Sequence, residues 1–194
     1  MYETAELIPI LIGLMVERNE KDILRCRKGD FMEKIINVAQ YIFVQYKKIS
    51  GENIDEMKLH KLLYFSQREC LAITNEPMFE EVFEGWKYGP VCREIRRSIT
   101  PDGIIDFDSE ISDENKYIVN NILLGYGSLA SWKLSELSHK EISWRNARKG
   151  LGMNENGNRP LNIDDIRKDA EHVRPYDHIW DMYYDEFDDA EEQA

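Results

Sequence analysis

Apolar residues recur at spacings of three and four along Met32, Ile35, Ala39, Ile42 and Tyr46. That rhythm predicts an amphipathic helix with one face turned to a core. Ser50-Gly51-Glu52-Asn53 reads as a turn. Asp55 is placed to N-cap a second helix, EMKLHKLLYFSQRECLAI, whose inner stripe is Leu59, Leu62 or Leu63, Ser66, Cys70 and Ile73. Asn75-Glu76-Pro77 ends it.

Residues 82–91, VFEGWKYGPV, break the helical rhythm. Val82 and Phe83 suit a short extended piece, and Gly85 suits a close backbone approach. Gly89-Pro90 reads as a helix entrance, with glycine bending the chain and proline at the first helical position. The helix would run through VCREIRRSI, with Val91, Ile95 and Ile99 inward and Arg93, Arg96 and Arg97 mostly outward, as a solvated face or a phosphate or carboxylate site. Trp86 would wedge between this helix and the helix over 57–73, while Lys61 and Tyr88 reach a surface.

Thr100-Pro101-Asp102-Gly103 is a turn signal, and IIDF after it a candidate short strand. Ser112 caps a predicted helix over 113–126, with Ile118, Ile122 and Tyr126 spaced by four. Leu129–Leu137 reads as helical, and a further short element begins between Ser138 and Trp144. Gly150–Pro160 is a flexible loop by composition. Ile163, Ile166, Ala170 and Val173 outline a last core helix, stopped by Arg174-Pro175. The fold class is therefore mainly α: a compact single-domain helical fold with at most one or two short strands. It divides into an N-terminal helical extension (1–30), a central domain (31–174) and a C-terminal tail (175–194).

Charge changes this picture at one end. The 194 residues carry a formal net charge of −12, and eight carboxylates with no Lys or Arg place −8 of it after Arg174. Wrapping nucleic acid is disfavoured, since phosphate binding needs a basic face. Within the tail, Tyr176, Trp180, Tyr183 and Phe187 follow a four-three-four spacing among carboxylates. Such aromatics suit core completion or a protein interface, and the acidic rim also suits a nucleic-acid mimic. The apolar run Leu7–Val16 is about half of what spans a bilayer, and its acidic flank argues against a secretory signal. The three cysteines, Cys26, Cys70 and Cys92, form no CxxC pair, which fits a reduced cytoplasm.

Candidate chemistry is sparse. The four histidines complete no zinc spacing. His60 and Cys70 lie ten residues apart on one predicted helix, roughly 15 Å, too far for a nucleophile–base pair. Cys70 sits on the apolar stripe and reads as a core residue. His139 follows Ser138 without a GxSxG elbow, and no phosphate-cradling loop is present. No catalytic, metal or cofactor site is expected.

KLHKLLYFSQ (58–67), EPMFEEVFEGWKYGPV (76–91), LSELSHKEISW (134–144) and the Ile163–Ile166 segment, in that order, resemble the SocA-like Panacea family, also called DUF4065. The resemblance runs from about Phe31 to Val173. It places Lys61, Tyr64, Trp86, Gly89, Pro90 and Trp144 on the family's scaffold motifs. Gly85 and Ser66 stand where the family often has Ala, and Ser143 where Pro commonly precedes the Trp. The resemblance implies a helical antitoxin domain of a bacterial or phage toxin–antitoxin pair, with a cognate toxin as direct protein partner and no catalytic residues. One branch implies a second reading, a protease adaptor; phage-associated members imply a regulator of host machinery. Tyr88 and the tail aromatics Tyr176, Trp180, Tyr183 and Phe187 are the candidate partner-binding residues. Neither nucleic acid nor membrane is an expected partner, and homo-oligomerisation stays open.

Overall fold

The computed structural model describes residues 32–100, 103–105, 110–152 and 154–173, all within one unit of the chain. The Leu7–Val16 run and the tail residues Tyr176, Trp180, Tyr183 and Phe187 lie outside the described residues. The elements are α1 (Ile35–Ser50), α2 (Glu56–Thr74), β1 (Glu84–Trp86), β2 (Gly89–Val91), α3 (Arg93–Ser98), β3 (Ile99–Thr100), β4 (Gly103–Ile104), α4 (Asp113–Tyr126), α5 (Ser131–Ser138), α6 (Ile142–Ala147) and α7 (Ile163–Ala170). The fold is mainly α, with two short antiparallel strand pairs, β1–β2 and β3–β4, among the described residues.

The long helices start and stop where local chemistry tells them to. Asp55 accepts the Lys58 N–H at the start of α2, and Ser112 accepts the Asn115 N–H at the start of α4, each satisfying an orphan donor of the first turn. At the far ends Gly51 (φ 75°) and Asn75 (φ 59°) take left-handed conformations that close α1 and α2. Met32 belongs to the predicted stripe but precedes α1 and is exposed.

α2 is the axis of the fold. Every residue from Lys58 to Leu71 is buried, because α1, α4, α5, α7 and β2 pack around it. Leu59, Leu62, Leu63, Tyr64 and Phe65 have no exposed surface. The Tyr64 ring meets Phe65 and Phe83 edge-on, and Phe65 stacks on Tyr126 at 4.8 Å. Cys70 is buried as the stripe predicts, and burial pushes its thiol up to about 11.

Four expectations are corrected. Gly89-Pro90 is no helix entrance: both residues lie in β2, paired with Trp86 and Gly85, and α3 starts only at Arg93. Pro90 suits a two-stranded ribbon because an edge position needs no N–H on its outer side. In the described part of IIDF a strand covers Gly103–Ile104 and pairs with Ile99–Thr100, so Ile99 packs against the core from a strand rather than from the helix expected for it. Ile163, at the start of α7, is 37% exposed.

Trp86 is the fourth. Its ring is half-buried at the edge of the β1–β2 ribbon rather than wedged between α2 and α3. The Arg96 guanidinium covers the ring at 4.8 Å, and the indole N–H donates to Glu84 Oε2 at 2.8 Å. Trp86→Ala is therefore expected to cost about 1–2 kcal/mol, below the roughly 3–5 kcal/mol of emptying a sealed aromatic site. Thermal melting checks this; a loss in the upper range would mean the indole is a core element after all.

Candidate functional site

The ribbon of residues 84–91 is held by side chains reaching in from three other elements, α2, α5 and α6, and the caps of the last two. The Arg148 guanidinium donates to the Gly85 carbonyl at 3.1 Å, and the Trp144 indole N–H to the Trp86 carbonyl at 2.8 Å. His139 makes a hydrogen bond to the Lys87 backbone. Ser135 Oγ donates to the Tyr88 carbonyl at 2.8 Å, and Lys61 Nζ to the Pro90 carbonyl at 2.9 Å. A tight turn leaves such carbonyls without ladder partners, and each would carry a desolvation cost if buried alone. Here almost every one has its own donor.

The second strand explains the glycine. Gly89 has φ +102°, and a Cβ there would run into Lys61 Cε and Ser138 Oγ. Position 89 needs glycine for both reasons. Lys61 is buried in that contact, contrary to the surface position expected for it. Burial is the main cause that lowers its ammonium to about 7, against the opposing pull of Asp55 and Glu56. Next to it His60 is buried, and burial with the Lys61 and Arg96 charges lowers it to about 3. Its Nδ1 accepts the Cys92 N–H at 3.4 Å, as a neutral ring can.

These two groups fix a pH dependence. Folding depresses Lys61 from its ordinary 10.5 to about 7, so the unfolded chain holds the extra proton across that window. Stability then rises with pH between about 7 and 10.5 by up to one proton's slope, about 1.4 kcal/mol per pH unit. His60 works at the acid end: stability falls as pH drops from about 6.5 toward 3. Urea midpoints measured across pH check this. Lys61→Met should flatten the alkaline limb, and an unchanged limb would show that the lysine is not the group responsible.

One turn further along α2, Tyr64 ties three elements together. Its hydroxyl shares a 2.9 Å hydrogen bond with Ser143 Oγ and donates to Asp169 Oδ2 at 3.1 Å. The Asp169 carboxylate also accepts the Ile142 and Ser143 N–H groups at 2.6 and 3.0 Å. It caps α6 from α7, supplying what Glu141 at the N-cap position does not. Glu141 instead pairs with buried Arg68, whose other arm donates to the Tyr126 hydroxyl at 3.1 Å. Burial raises Glu141 and opposes the Arg68 charge that lowers it. Phenolate formation at Tyr64 is pushed well above its ordinary range, first by burial and then by the Glu141 and Asp169 charges.

The segment Gly150–Pro160 is tied to the ribbon at several of its described residues. Arg148 Nη2 donates to the Gly152 and Glu155 carbonyls at 3.1 and 2.6 Å. The Gly85 N–H reaches the Arg159 carbonyl at 2.8 Å, and the Leu161 N–H the Phe83 carbonyl at 2.8 Å. One arginine thus joins the loop to the ribbon.

Facing solvent, this framework shows Tyr88 and Trp132, 56% and 68% exposed. Tyr88 stands at the surface as the sequence suggests. Trp132 was missed, although its spacing from Ser135 and His139 sets all three on one face of α5. His139 stacks on Trp144 at 4.0 Å. Of the scaffold residues read from sequence, Lys61, Gly89, Pro90 and Trp144 meet at the ribbon, Trp86 lies at its edge, and Tyr64 belongs to the network behind it. Arg68, Glu141, Arg148 and Asp169 were missed too; a polar letter gives no sign of a partner many residues away.

Ser135 and His139 do not form a nucleophile–base pair. His139 Nε2 lies 3.4 Å from Ser135 Oγ, but that hydroxyl is spent on the Tyr88 carbonyl and the ring is covered by Trp144. An open cavity of about 440 Å³ lies elsewhere, lined by Glu81, Val82, Cys92, Arg93, Glu94, Arg97 and Ser98. Its charges are mixed, and burial raises the Cys92 thiol, away from a reactive thiolate. Among the described residues no group of His, Cys, Asp and Glu could hold a metal ion, and no helix is long and apolar enough to cross a membrane.

Comparison with known families gives one match: residues 59–145 fit the family described as antitoxin SocA-like, Panacea domain. No curated protein and no solved structure matches the chain. The matched stretch starts inside α2, carries the whole ribbon with the Ser135, His139 and Trp144 donors that hold it, and ends in α6. Over residues 59–145, then, the chain is similar to the SocA-like Panacea antitoxin family.

Proposed function

We propose that the protein is an antitoxin that neutralises a cognate toxin by direct protein–protein binding and performs no chemistry of its own. The observation that carries this reading is the ribbon. Its carbonyls at 85, 86, 88 and 90 are taken by separate side-chain donors, so Lys87 and Tyr88 are presented on a turn that need not be ordered on binding. Pre-organisation of this kind lowers the entropy cost of association. The match of residues 59–145 to an antitoxin family supports the same reading. The tail 175–194 adds contacts of opposite sign: its carboxylates speed encounter with a basic toxin surface, an effect that salt screens.

The test is to express the product of the neighbouring open reading frame alone and together with this chain. Growth arrest relieved by co-expression, with toxin levels unchanged, is the expected result. Arrest that persists would overturn the antitoxin reading, and relief accompanied by loss of the toxin would indicate delivery to a protease instead. Removing residues 175–194 should leave the melting temperature within about 1–2 °C of the parent while weakening neutralisation; unchanged neutralisation would take the tail out of the account.

A further inference from the structure

Tyr88 and Trp132 lie on one surface. Ser135 Oγ holds the Tyr88 carbonyl at 2.8 Å, and Trp132 stands three residues before Ser135, one helical turn away on the same face. Both supports are fixed. The turn is held by its carbonyl donors, and the start of α5 is tied to α2 by the hydrogen bond from Ser131 Oγ to Asp55 Oδ2. An indole 68% exposed on a braced helix, beside a phenol 56% exposed on a braced turn, is what the centre of an interface looks like before its partner arrives, since Trp and Tyr dominate binding energy there.

The charge around them runs against the rest of the chain. Lys87 Nζ lies over the Tyr88 ring at 5.0 Å and Lys133 Nζ over the Trp132 ring at 5.9 Å. Lys140, one turn further on, shares Glu136 with Lys133 at 3.8 and 2.9 Å. Lys133 and Lys140 thus share Glu136, Lys87 covers the Tyr88 ring, and Asp55 is engaged by Ser131 at the edge of this face, in a protein of net charge −12. Ring faces already covered by ammonium groups disfavour a cationic visitor and favour a chain that brings carboxylates to the lysines.

From this we infer that the Tyr88–Trp132 face is the toxin-docking surface, and that it takes a toxin segment whose apolar side chain is flanked by Asp or Glu. The inference rests on the antitoxin reading and adds where the toxin binds and with what chemistry. It also separates two contact regions by sign: an acidic partner segment here, a basic one for the tail.

The experiment uses the full chain and the purified product of the neighbouring reading frame, with binding followed by calorimetry. Three variants are compared with the parent: Tyr88→Ser/Trp132→Ser, Lys87→Glu/Lys140→Glu, and Lys87→Arg/Lys140→Arg. All four side chains are solvent-facing or at the surface edge, so melting temperatures should match the parent within about 1–2 °C. The first two variants should weaken binding at least tenfold, and the arginine variant should keep parental affinity. Parental affinity in the serine variant overturns the docking surface while leaving the antitoxin reading intact. Unchanged or tighter binding by the glutamate variant overturns the acidic partner chemistry. Failure of the parent itself to bind overturns both readings together. A parent that dimerises in sedimentation, with a monomeric serine variant, makes a second copy the occupant and also overturns the inference.

Discussion

Glu141→Ala is expected to destabilise the protein by about 3–5 kcal/mol, the range found when one member of a buried ion pair is removed. For a chain of this size that is a drop of about 6–20 °C in melting temperature. The reason is the cation left behind. The Arg68 and Glu141 side chains are 9% and 13% exposed, and a guanidinium cannot shed its proton to relieve burial. The opposite truncation should be milder. In Arg68→Met the stranded group is Glu141, a carboxyl that burial already raises, so it can protonate. Calorimetric melting of both variants checks the asymmetry. Joining them, as Arg68→Met/Glu141→Leu, should recover part of the loss seen in Glu141→Ala. Equal costs for the two single variants would mean that water reaches Arg68.

Gly89→Ala should cost about 2–6 kcal/mol from two sources. An L-residue held at φ +102° carries backbone strain of about 1–3 kcal/mol. A methyl group forced against Lys61 and Ser138 adds about 1–3 kcal/mol of overpacking. Ser138→Gly in the same chain should return some of the steric share and none of the backbone share. Because position 89 follows Tyr88, the substitution should also weaken toxin neutralisation at temperatures where the domain stays folded. Urea unfolding at the parental midpoint would show that the turn is not held as described.

Much of this architecture was legible in the sequence, and the boundary of legibility has a physical cause. α1, α2 and α4 announce themselves through apolar spacing, with Asp55 and Ser112 as caps, because those signals are local. The burial of Lys58, Lys61, Gln67 and Arg68 is not local. Each meets a partner far along the chain: Lys58 the Gly127 carbonyl, Lys61 that of Pro90, Gln67 the Met78–Phe79 backbone, Arg68 Glu141. Read alone, those letters describe a solvated face. Gly89-Pro90 was misread because a helix start and a tight ribbon use the same two residues; the donors that select the ribbon sit in α2, α5 and α6. Trp86 and Trp144 look alike in sequence. Only the fold shows that one indole bonds a neighbour two residues away while the other bonds across 58 residues.

The carboxylate that closes α6 has a consequence for where the protein can be cut. Asp169 lies 24 residues beyond the end of the family match at Arg145, yet it satisfies two amides and a phenol inside that match. Truncation at the matched boundary would strip the hub helix of its last cover and leave those donors facing water through an open seam. The family signature is thus shorter than the folded unit, and a changed α7 keeps this cap only while some acceptor returns to the same spot.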